Sequence, residues 1–317
     1  MNKNTKIMLL ISALVISAWT VKITFFASSD VVDALIENID GEVVANDKTN
    51  EFSQQKIITL APHVVEMLFD IGVGDRIIGT TEHSDYPAQA LEIPLLGNYA
   101  RLKIEDILAL QPDLIIAWRT GNPSDDLERL EQLGLKVVYS DPRYLSDVSK
   151  ELRLFGKLTG ANELAEQKAS QFESRLNALR ERYQDKSNIN VFYELWSKPL
   201  TTIAQQAWPQ QHLEVCGANN IFVDLVNDYP QINIEQIIIN DPQLIIQPMS
   251  NAEPNPDAID WQKFKQVKAA KYQQQLKPNS DILHRMSFRL LDELEQLCID
   301  IDKSRDFYHN LSSATQN

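Results

Sequence analysis

Short apolar runs alternate with amphipathic stretches from Lys56 to about residue 145. Runs of four or five residues bounded by polar or turn residues predict buried strands, and apolar residues at helical spacing predict helices. The predicted strands are 57–60, 76–79, 114–118 and 136–139. The predicted helices are 62–71, 104–110 and 127–133. Strands that alternate with helices at this spacing are typical of an α/β unit with a mainly parallel sheet.

The pattern changes between residues 146 and 186, which are rich in Glu, Lys, Leu, Ala, Gln and Arg and show no strand signal. The Thr159-Gly160 step interrupts this stretch, and residues 164–183 predict one unbroken helix of about 30 Å at 1.5 Å per residue. A second α/β series then runs from 190–193 to 244–247. A final helix is predicted from Ser287 to about Ile301.

An internal repeat relates the two series. Residues 104–116 align without a gap to residues 234–246, with seven identities in thirteen positions. Generic helix–Pro–strand patterning explains the apolar matches, but it does not require the glutamate that both copies share, Glu105 and Glu235. Two similar lobes are therefore expected, each with a helix that begins beside a glutamate.

These patterns predict an α/β protein of two Rossmann-like lobes with mainly parallel sheets, joined by a single long α-helix. The expected segments are 1–29 (signal peptide or anchor), 30–55 (acidic flexible linker), 56–145 (N-terminal lobe), 146–186 (inter-lobe helical backbone), 187–308 (C-terminal lobe) and 309–317 (tail).

The N-terminus has a secretory pattern. The first six residues carry two lysines and no acid, and a 15-residue apolar run follows them. Small residues at Ala27-Ser28-Ser29 predict cleavage near Asp30. The alternative is an uncleaved anchor, in which residues 7–27 span about 30 Å of hydrocarbon and Lys22 reaches the interface. No cysteine lies here, so a lipoprotein anchor is excluded, and both readings place the remaining chain in the periplasm.

Composition and charge narrow the class of protein. The 317 residues are 44% hydrophobic and 23% charged, as in a folded globular protein. The formal net charge is −14, and no run of Lys or Arg occurs. A surface that binds nucleic acid or an anionic membrane is therefore not expected.

Cys216 and Cys298 are the two cysteines of the chain. An even count in an oxidising compartment favours a disulfide. By closing a loop, this bond would reduce the entropy of the unfolded chain and stabilise the folded protein by about 4 kcal/mol. Two buried free thiols are the alternative.

Several segments in both halves are more specific than strand–helix patterning. They are 57–62 (IITLAP), 84–87 (SDYP), 112–119 (PDLIIAWR) with Gly121-Asn122, 213–217 (LEVCG) with 220–222 (NIF), and 287–298. Through them the stretch from Lys56 to about Ile301 resembles the helical-backbone class of periplasmic solute-binding proteins. Within that class it is similar to the vitamin B12 (cobalamin) receptors of ABC importers.

The resemblance implies that Glu105 and Glu235 dock the receptor onto arginines of a transmembrane permease, which works with a cytoplasmic ATPase. One carboxylate on each lobe orients a bilobed receptor over a two-fold symmetric partner. The alternative is an ordinary first-turn glutamate favoured by the helix dipole.

The resemblance also implies a ligand cleft between the lobes. Its expected contacts are Tyr86, Tyr99, Trp118, Arg119, Leu200, Tyr229 and Asp281. Aromatic faces suit a corrin ring because they bury large apolar area while their polar edges reach amide groups. Core packing is the alternative for each aromatic side chain. Whether Trp196 or Trp208 also lines the cleft stays open.

Four positions depart from the resembled receptors. Tyr99 and Tyr229 stand where those receptors have tryptophan, Leu200 where they have phenylalanine, and Ile282 where they have tryptophan. Haem or a ferric siderophore is therefore an alternative ligand for the same architecture.

Catalysis is not expected. The five histidines have no metal-ligand spacing, and no GxSxG, GxGxxG or P-loop motif occurs. His83, Ser84 and Asp85 are adjacent, so their side chains point apart and form no triad. We expect a monomer that binds a small molecule as cargo and holds no metal or cofactor. A membrane-anchored scaffold is the alternative from a different class.

Overall fold

The computed structural model describes residues 52–250 and 255–315. The predicted signal segment, 1–29, and all but the last four residues of the predicted linker, 30–55, lie outside the described residues. Within the described ranges, no helix is both long and apolar enough to cross a membrane.

The described elements follow the predicted alternation closely. The strands are β1 (Ile57–Thr59), β2 (Ile77–Gly79), β3 (Leu114–Trp118), β4 (Val137–Ser140), β5 (Asn190–Tyr193), β6 (Trp196–Ser197), β7 (Leu200–Thr201), β8 (Asn219–Asn220), β9 (Leu244–Ile246) and β10 (Gln275–Leu276). The α-helices are α1 (Pro62–Asp70), α2 (Ile104–Leu110), α3 (Ser124–Gln132), α4 (Asp147–Thr159), α5 (Asn162–Tyr183), α6 (Gln210–Val215), α7 (Ile234–Asn240), α8 (Lys268–Lys271), α9 (Ser280–Leu283) and α10 (Leu290–Thr315).

The two lobes have the same sheet topology. The N-terminal sheet has the order β2-β1-β3-β4 and the C-terminal sheet the order β10-β9-β5-β8, with all their strands parallel. If the four strands of each sheet are numbered in chain order within their lobe, and the C-terminal sheet is read starting from β8, both orders are 2-1-3-4. The short antiparallel hairpin β6-β7 is an addition to the C-terminal lobe. The predicted pair of similar α/β lobes is confirmed.

The sequence repeat corresponds to equivalent elements. Helices α2 and α7 are both seven residues long, and each ends at a residue in the left-handed conformation, Gln111 (φ 50°) and Asp241 (φ 42°). A proline follows in both copies, and it cannot continue the helix. The next apolar run then forms the third strand of each lobe, β3 or β9, which is buried because helices cover both faces of a parallel sheet.

One apolar core extends across both lobes. One face of each sheet packs against α4, α5 and α10, and this shared core includes Phe155, Phe172 and Leu294, all fully buried. The opposite faces have separate cores, one that includes Ile107 of α2 and one that includes Trp261 in the C-terminal lobe. The lobes are therefore joined over a broad apolar surface and not only by the connecting chain.

The predicted inter-lobe helix is present as α5, which runs for 22 residues, or about 33 Å. Gly160 has φ +76° and turns the chain between α4 and α5, as the Thr159-Gly160 step predicted. Helix α10 lies beside α5, where Arg175 Nη2 lies 2.8 Å from Asp292 and Lys186 Nζ 2.7 Å from Asp302.

The predicted end of the final helix near Ile301 is wrong, because α10 continues to Thr315 and includes most of the predicted tail, 309–317. Contacts made after residue 301 explain the extension. Arg305 donates to the carbonyls of Ser187, Cys216 and Gly217, and the Tyr308 hydroxyl donates to the Gln243 carbonyl at 2.7 Å.

The predicted disulfide is confirmed. Cys216, at the end of α6, is bonded to Cys298 in α10, and both side chains are fully buried. The bond therefore joins α10 to the end of α6, and the two cysteines are 82 residues apart in sequence.

Replacing both cysteines by Ala is expected to lower the free energy of unfolding by about 2–5 kcal/mol, because the unfolded chain regains the entropy of an open loop. Urea denaturation measures this change. Wild-type protein treated with reductant should shift in the same direction, whereas a double variant as stable as the oxidised protein would contradict the expectation.

Candidate functional site

A cavity of about 750 Å³ opens between the two lobes. The N-terminal lobe contributes Pro62, His63, Trp118, Thr120, Asp141, Pro142, Arg143 and Tyr144. The C-terminal lobe contributes Gln205, Gln206, Ala207, Trp208, Gln211, Glu214, Asp228, Tyr229, His284, Arg285 and Met286.

The N-terminal wall forms where three parallel strands end. His63 follows β1 at the start of α1, Trp118 is the last residue of β3, and residues 141–144 follow β4. Because the carboxyl ends of parallel strands meet at one edge of a sheet, segments distant in sequence converge on the cavity.

Two predicted ligand residues, Trp118 and Tyr229, line the cavity. Trp208 lines it too, whereas Trp196 lies in β6, away from the wall, with 61% of its surface exposed. The structure therefore favours Trp208 over Trp196 as a cleft residue.

Two predicted aromatic contacts lie outside the cavity wall. The ring of Tyr86 covers the guanidinium of Arg289, 4.0 Å from the ring centroid. Tyr99 lies in the loop before α2 and is 78% exposed. Both residues lie in turns of the N-terminal lobe, and the spacing of residues in the sequence does not show which way a turn side chain points.

Three further predicted contacts also lie outside the wall. Arg119 stacks over the ring of Tyr139 at 3.9 Å. Leu200 belongs to the β6-β7 hairpin and packs against the separate core of the C-terminal lobe. Asp281 lies in the first turn of α9 and accepts a hydrogen bond from the Ser250 hydroxyl at 2.9 Å.

Several cavity residues were not predicted from the sequence, above all Tyr144, His63 and His284. A signal for Tyr144 was present, since it follows the predicted strand 136–139 and strand ends carry ligand groups in parallel sheets. His63 follows the first strand in the same way. Nothing local marks His284, which comes to the cavity through the packing of α9.

Three of the lining aromatic side chains are open to solvent. Trp118 is 37% exposed, Tyr144 57% and Tyr229 46%. Trp118 also packs edge-on against the ring of His63, with centroids 5.4 Å apart, which fixes its plane. These exposed faces provide apolar area that a bound ring system would bury.

The lining contains more acidic than basic side chains. Asp141, Glu214 and Asp228 face Arg143 and Arg285. Both arginines already have carboxylate partners: Arg143 Nη2 donates to Asp141 at 3.0 Å, and Arg285 is bound by Glu66 and Asp85. The wall therefore offers little free positive charge to an anionic ligand.

Both lining histidines are neutral at neutral pH. Burial and then the charge of Arg285 lower the pKa of His63 to about 3, and burial lowers the pKa of His284 to about 4. His284 Nε2 lies 2.8 Å from the hydroxyl of Tyr193, and His63 Nε2 lies 2.7 Å from Ser140 Oγ. One nitrogen of each ring is thus engaged within the protein.

A buried carboxyl group of the N-terminal lobe, that of Glu151, stabilises the N-terminal wall of the cavity. The hydroxyl of Ser140 donates to Glu151 Oε2 at 2.7 Å, and the backbone N–H of Asp141 donates to Oε1 at 2.9 Å. Burial raises the pKa of Glu151 to about 7. Glu151 therefore connects His63, through Ser140, with the start of the lining segment 141–144.

Two parallel-sheet lobes around an open inter-lobe cavity define a bilobed binding protein. Residues 57–274 match the model of the periplasmic binding protein family, and the chain belongs to that family.

The curated relatives agree with this assignment. The chain is 37% identical over 248 residues to the vitamin B12-binding protein of Vibrio cholerae serotype O1, covering 78% of this chain and 89% of the relative. It is 36% identical over 245 residues to the vitamin B12-binding protein of Vibrio campbellii, covering 77% and 88%.

Solved structures show the same fold. The periplasmic vitamin B12 binding protein of Vibrio cholerae superposes with a TM-score of 0.72 at 36% identity, covering 79% of this chain and 98% of that one. A periplasmic haem-binding protein from Roseiflexus sp. RS-1 gives a TM-score of 0.71 at 18% identity, covering 79% and 99%. The second match is evidence of the fold alone.

The raised pKa of Glu151 makes the free energy of unfolding depend on pH. The unfolded chain loses the Glu151 proton near pH 4.5, whereas the folded protein keeps it to about pH 7. This group's contribution to stability is therefore full below pH 4.5 and is lost as pH rises to about 7. The loss amounts to about 3 kcal/mol.

Replacing Glu151 by Gln should remove that loss, so the variant gains stability relative to wild type as pH rises from 4.5 to 7. Urea unfolding at several pH values measures the difference. Glu128→Gln, at an exposed site on α3, is the control and should follow the wild-type profile. Parallel profiles for wild type and Glu151→Gln would contradict the expectation.

Proposed function

We propose that this protein captures cobalamin, or a related corrinoid, between its lobes in the periplasm and delivers it to the permease of an ABC importer. The observation that carries the proposal is the aromatic-lined cavity between the lobes, in a chain whose curated relatives bind vitamin B12. The protein acts as a receptor, not an enzyme, and the corrinoid is its cargo.

The shape and chemistry of the cavity support a corrin ring. Trp118 and Tyr144 lie on one wall and Tyr229 on the other, so a flat ring system can contact aromatic faces from both lobes. The cavity volume of about 750 Å³ is within the range of small-molecule sites. Polar edges come from side-chain amides, among them Gln205 and Gln211, which suit the peripheral amides of a corrinoid.

The charge balance of the wall favours an amide-bearing ligand over an anionic one. Haem carries two propionates and many ferric siderophores are anionic, so either ligand calls for unpaired arginine or lysine. Arg285 is already bound by Glu66 and Asp85. Corrin amides need no such counter-charge.

Haem is the second candidate because two histidines, His63 and His284, line the cavity. Imidazole is a common iron ligand, and both rings are neutral. Haem is nevertheless the weaker candidate, because both lining arginines, Arg143 and Arg285, already pair with carboxylates and are not free to bind its propionates.

Glu105 and Glu235 are proposed to dock the receptor onto the permease. They occupy the same first-turn position in the equivalent helices α2 and α7, and both are exposed. Glu105 Oε1 lies 3.9 Å from Arg129 Nη2, and arginines of a partner can replace this weak, exposed ion pair. Equivalent carboxylates on two lobes match a partner with two-fold symmetry.

Isothermal titration of the purified full chain with cyanocobalamin, cobinamide, haem and a ferric siderophore tests the ligand. We expect tight one-to-one corrinoid binding. Trp118→Ala should weaken it by about 10- to 100-fold, because a stacked aromatic contact is worth about 1.4–3 kcal/mol. Trp196→Ala is the matched control and should bind as wild type does.

Each other outcome of the titration has a meaning. If haem or the siderophore binds and neither corrinoid does, the proposed ligand would be wrong while the proposed role as a receptor would stand. An equal loss in Trp118→Ala and Trp196→Ala would contradict the assigned cleft. No binding of any of the four ligands would favour a scaffold role.

Reversing both docking charges, Glu105→Arg with Glu235→Arg, should abolish corrinoid uptake in cells and leave affinity for the ligand unchanged. The reversal replaces attraction to the permease arginines by repulsion. Glu163→Arg with Glu181→Arg, at exposed positions of α5, changes the net charge equally and should sustain uptake. Normal uptake by the Glu105/Glu235 variant would refute docking through these residues.

A further inference from the structure

A buried carboxylate of the N-terminal lobe binds the C-terminal lobe directly. Glu66 lies on α1 and is 2% exposed. Arg289 donates to it through Nε at 2.8 Å and Nη2 at 2.6 Å, and Arg285 through Nη1 at 3.1 Å. The hydroxyl of Ser287 donates as well. All three donors come from the segment that joins α9 to α10.

A second pair of N-terminal residues encloses the same arginines. Asp85 accepts hydrogen bonds from both terminal nitrogens of Arg285, and the ring of Tyr86 covers the guanidinium of Arg289. Burial opposes the charge on Arg285, but the hydrogen bonds and charge of Asp85, with the charge of Glu66, keep its pKa above the ordinary value. We name Glu66, Asp85, Arg285 and Arg289 the inter-lobe clamp.

The clamp specifies one relative position of the lobes. Two carboxylates face two guanidiniums, and Glu66 receives hydrogen bonds on both oxygens. A buried charge that loses its partners has no water to replace them, so lobe displacements that separate these groups are strongly disfavoured. Apolar contacts in the shared core tolerate sliding better, because they have no directional geometry.

The clamp also reaches the cavity. Arg285 is at once a partner of Glu66 and a lining residue, and its neighbours His284 and Met286 line the cavity too. We infer that Glu66 is the positioning residue of the cleft, holding Arg285 and the adjoining C-terminal wall at the distance from the N-terminal wall that the ligand requires. The effect on binding rests on the proposed function, whereas the effect on lobe position does not.

Double electron–electron resonance tests the inference without any ligand. Spin labels at Ala109→Cys and Ile239→Cys, exposed positions related by the repeat, report the distance between the lobe tips. Adding Glu66→Gln should broaden and lengthen the distance distribution of the folded protein. In the unlabelled chain, the same substitution should weaken cyanocobalamin binding at least tenfold.

Glu194→Gln is the matched control. Glu194 is 1% exposed and accepts hydrogen bonds from Ser197, Gln247 and Trp261, all within the C-terminal lobe. It should lower the melting temperature and leave both the distance distribution and the affinity unchanged. A role of Glu66 in stability alone would give the same result as this control and would overturn the inference.

Asp85→Asn provides a second variant in case Glu66→Gln does not fold, because the Asp85 side chain is 39% exposed. It should broaden the distribution to a smaller extent. An unchanged distribution in Asp85→Asn and in any folded Glu66→Gln overturns the inference. If wild type binds no corrinoid, the proposed function fails while the distance measurement still decides the clamp.

Discussion

The apolar core around α4, α5 and α10 sets how the two lobes meet and therefore where the cavity lies. Both sheets bury one face against these helices, so neither lobe has a complete core without them. Phe155 and Phe172 lie at its centre with no exposed surface. Because a close-packed interior resists changes in volume, the two lobes meet in a narrow range of arrangements. The strand ends of the N-terminal lobe and the C-terminal segments opposite them therefore form a cavity of defined size.

Polar groups refine what the apolar core allows. The clamp binds the lobes beside the cavity, and the Ser140–Glu151 hydrogen bond supports the opposite wall from within the N-terminal lobe. The lining beyond these groups includes aromatic faces, side-chain amides and the carboxylates of Glu214 and Asp228. This charge balance is the reason that we propose a large neutral ring, and not an anionic one, as the ligand.

Predictions from the sequence were accurate where structure depends on local pattern. The strands at 114–118 and 190–193 and the helix at 104–110 lie where apolar periodicity placed them. Of the residues predicted to contact a ligand, Trp118 and Tyr229 line the cavity, whereas Tyr86 and Tyr99 lie outside its wall. An aromatic residue in a turn points according to its neighbours in space, and Tyr86 is held over Arg289, about 200 residues further along the chain.

Periodicity, helix-ending residues and residue counts are local properties, and they suffice to predict the two α/β lobes, their repeat, the long helix between them and the cysteine pair. Local pattern does not show that α10 joins α5 in a core shared by both lobes, or that Glu66 binds Arg285 and Arg289, because both features arise from tertiary packing. Buried ion pairs and cavity walls depend on which distant segments pack together. That choice is made by the summed burial of whole helices and sheets, which no short stretch of sequence records.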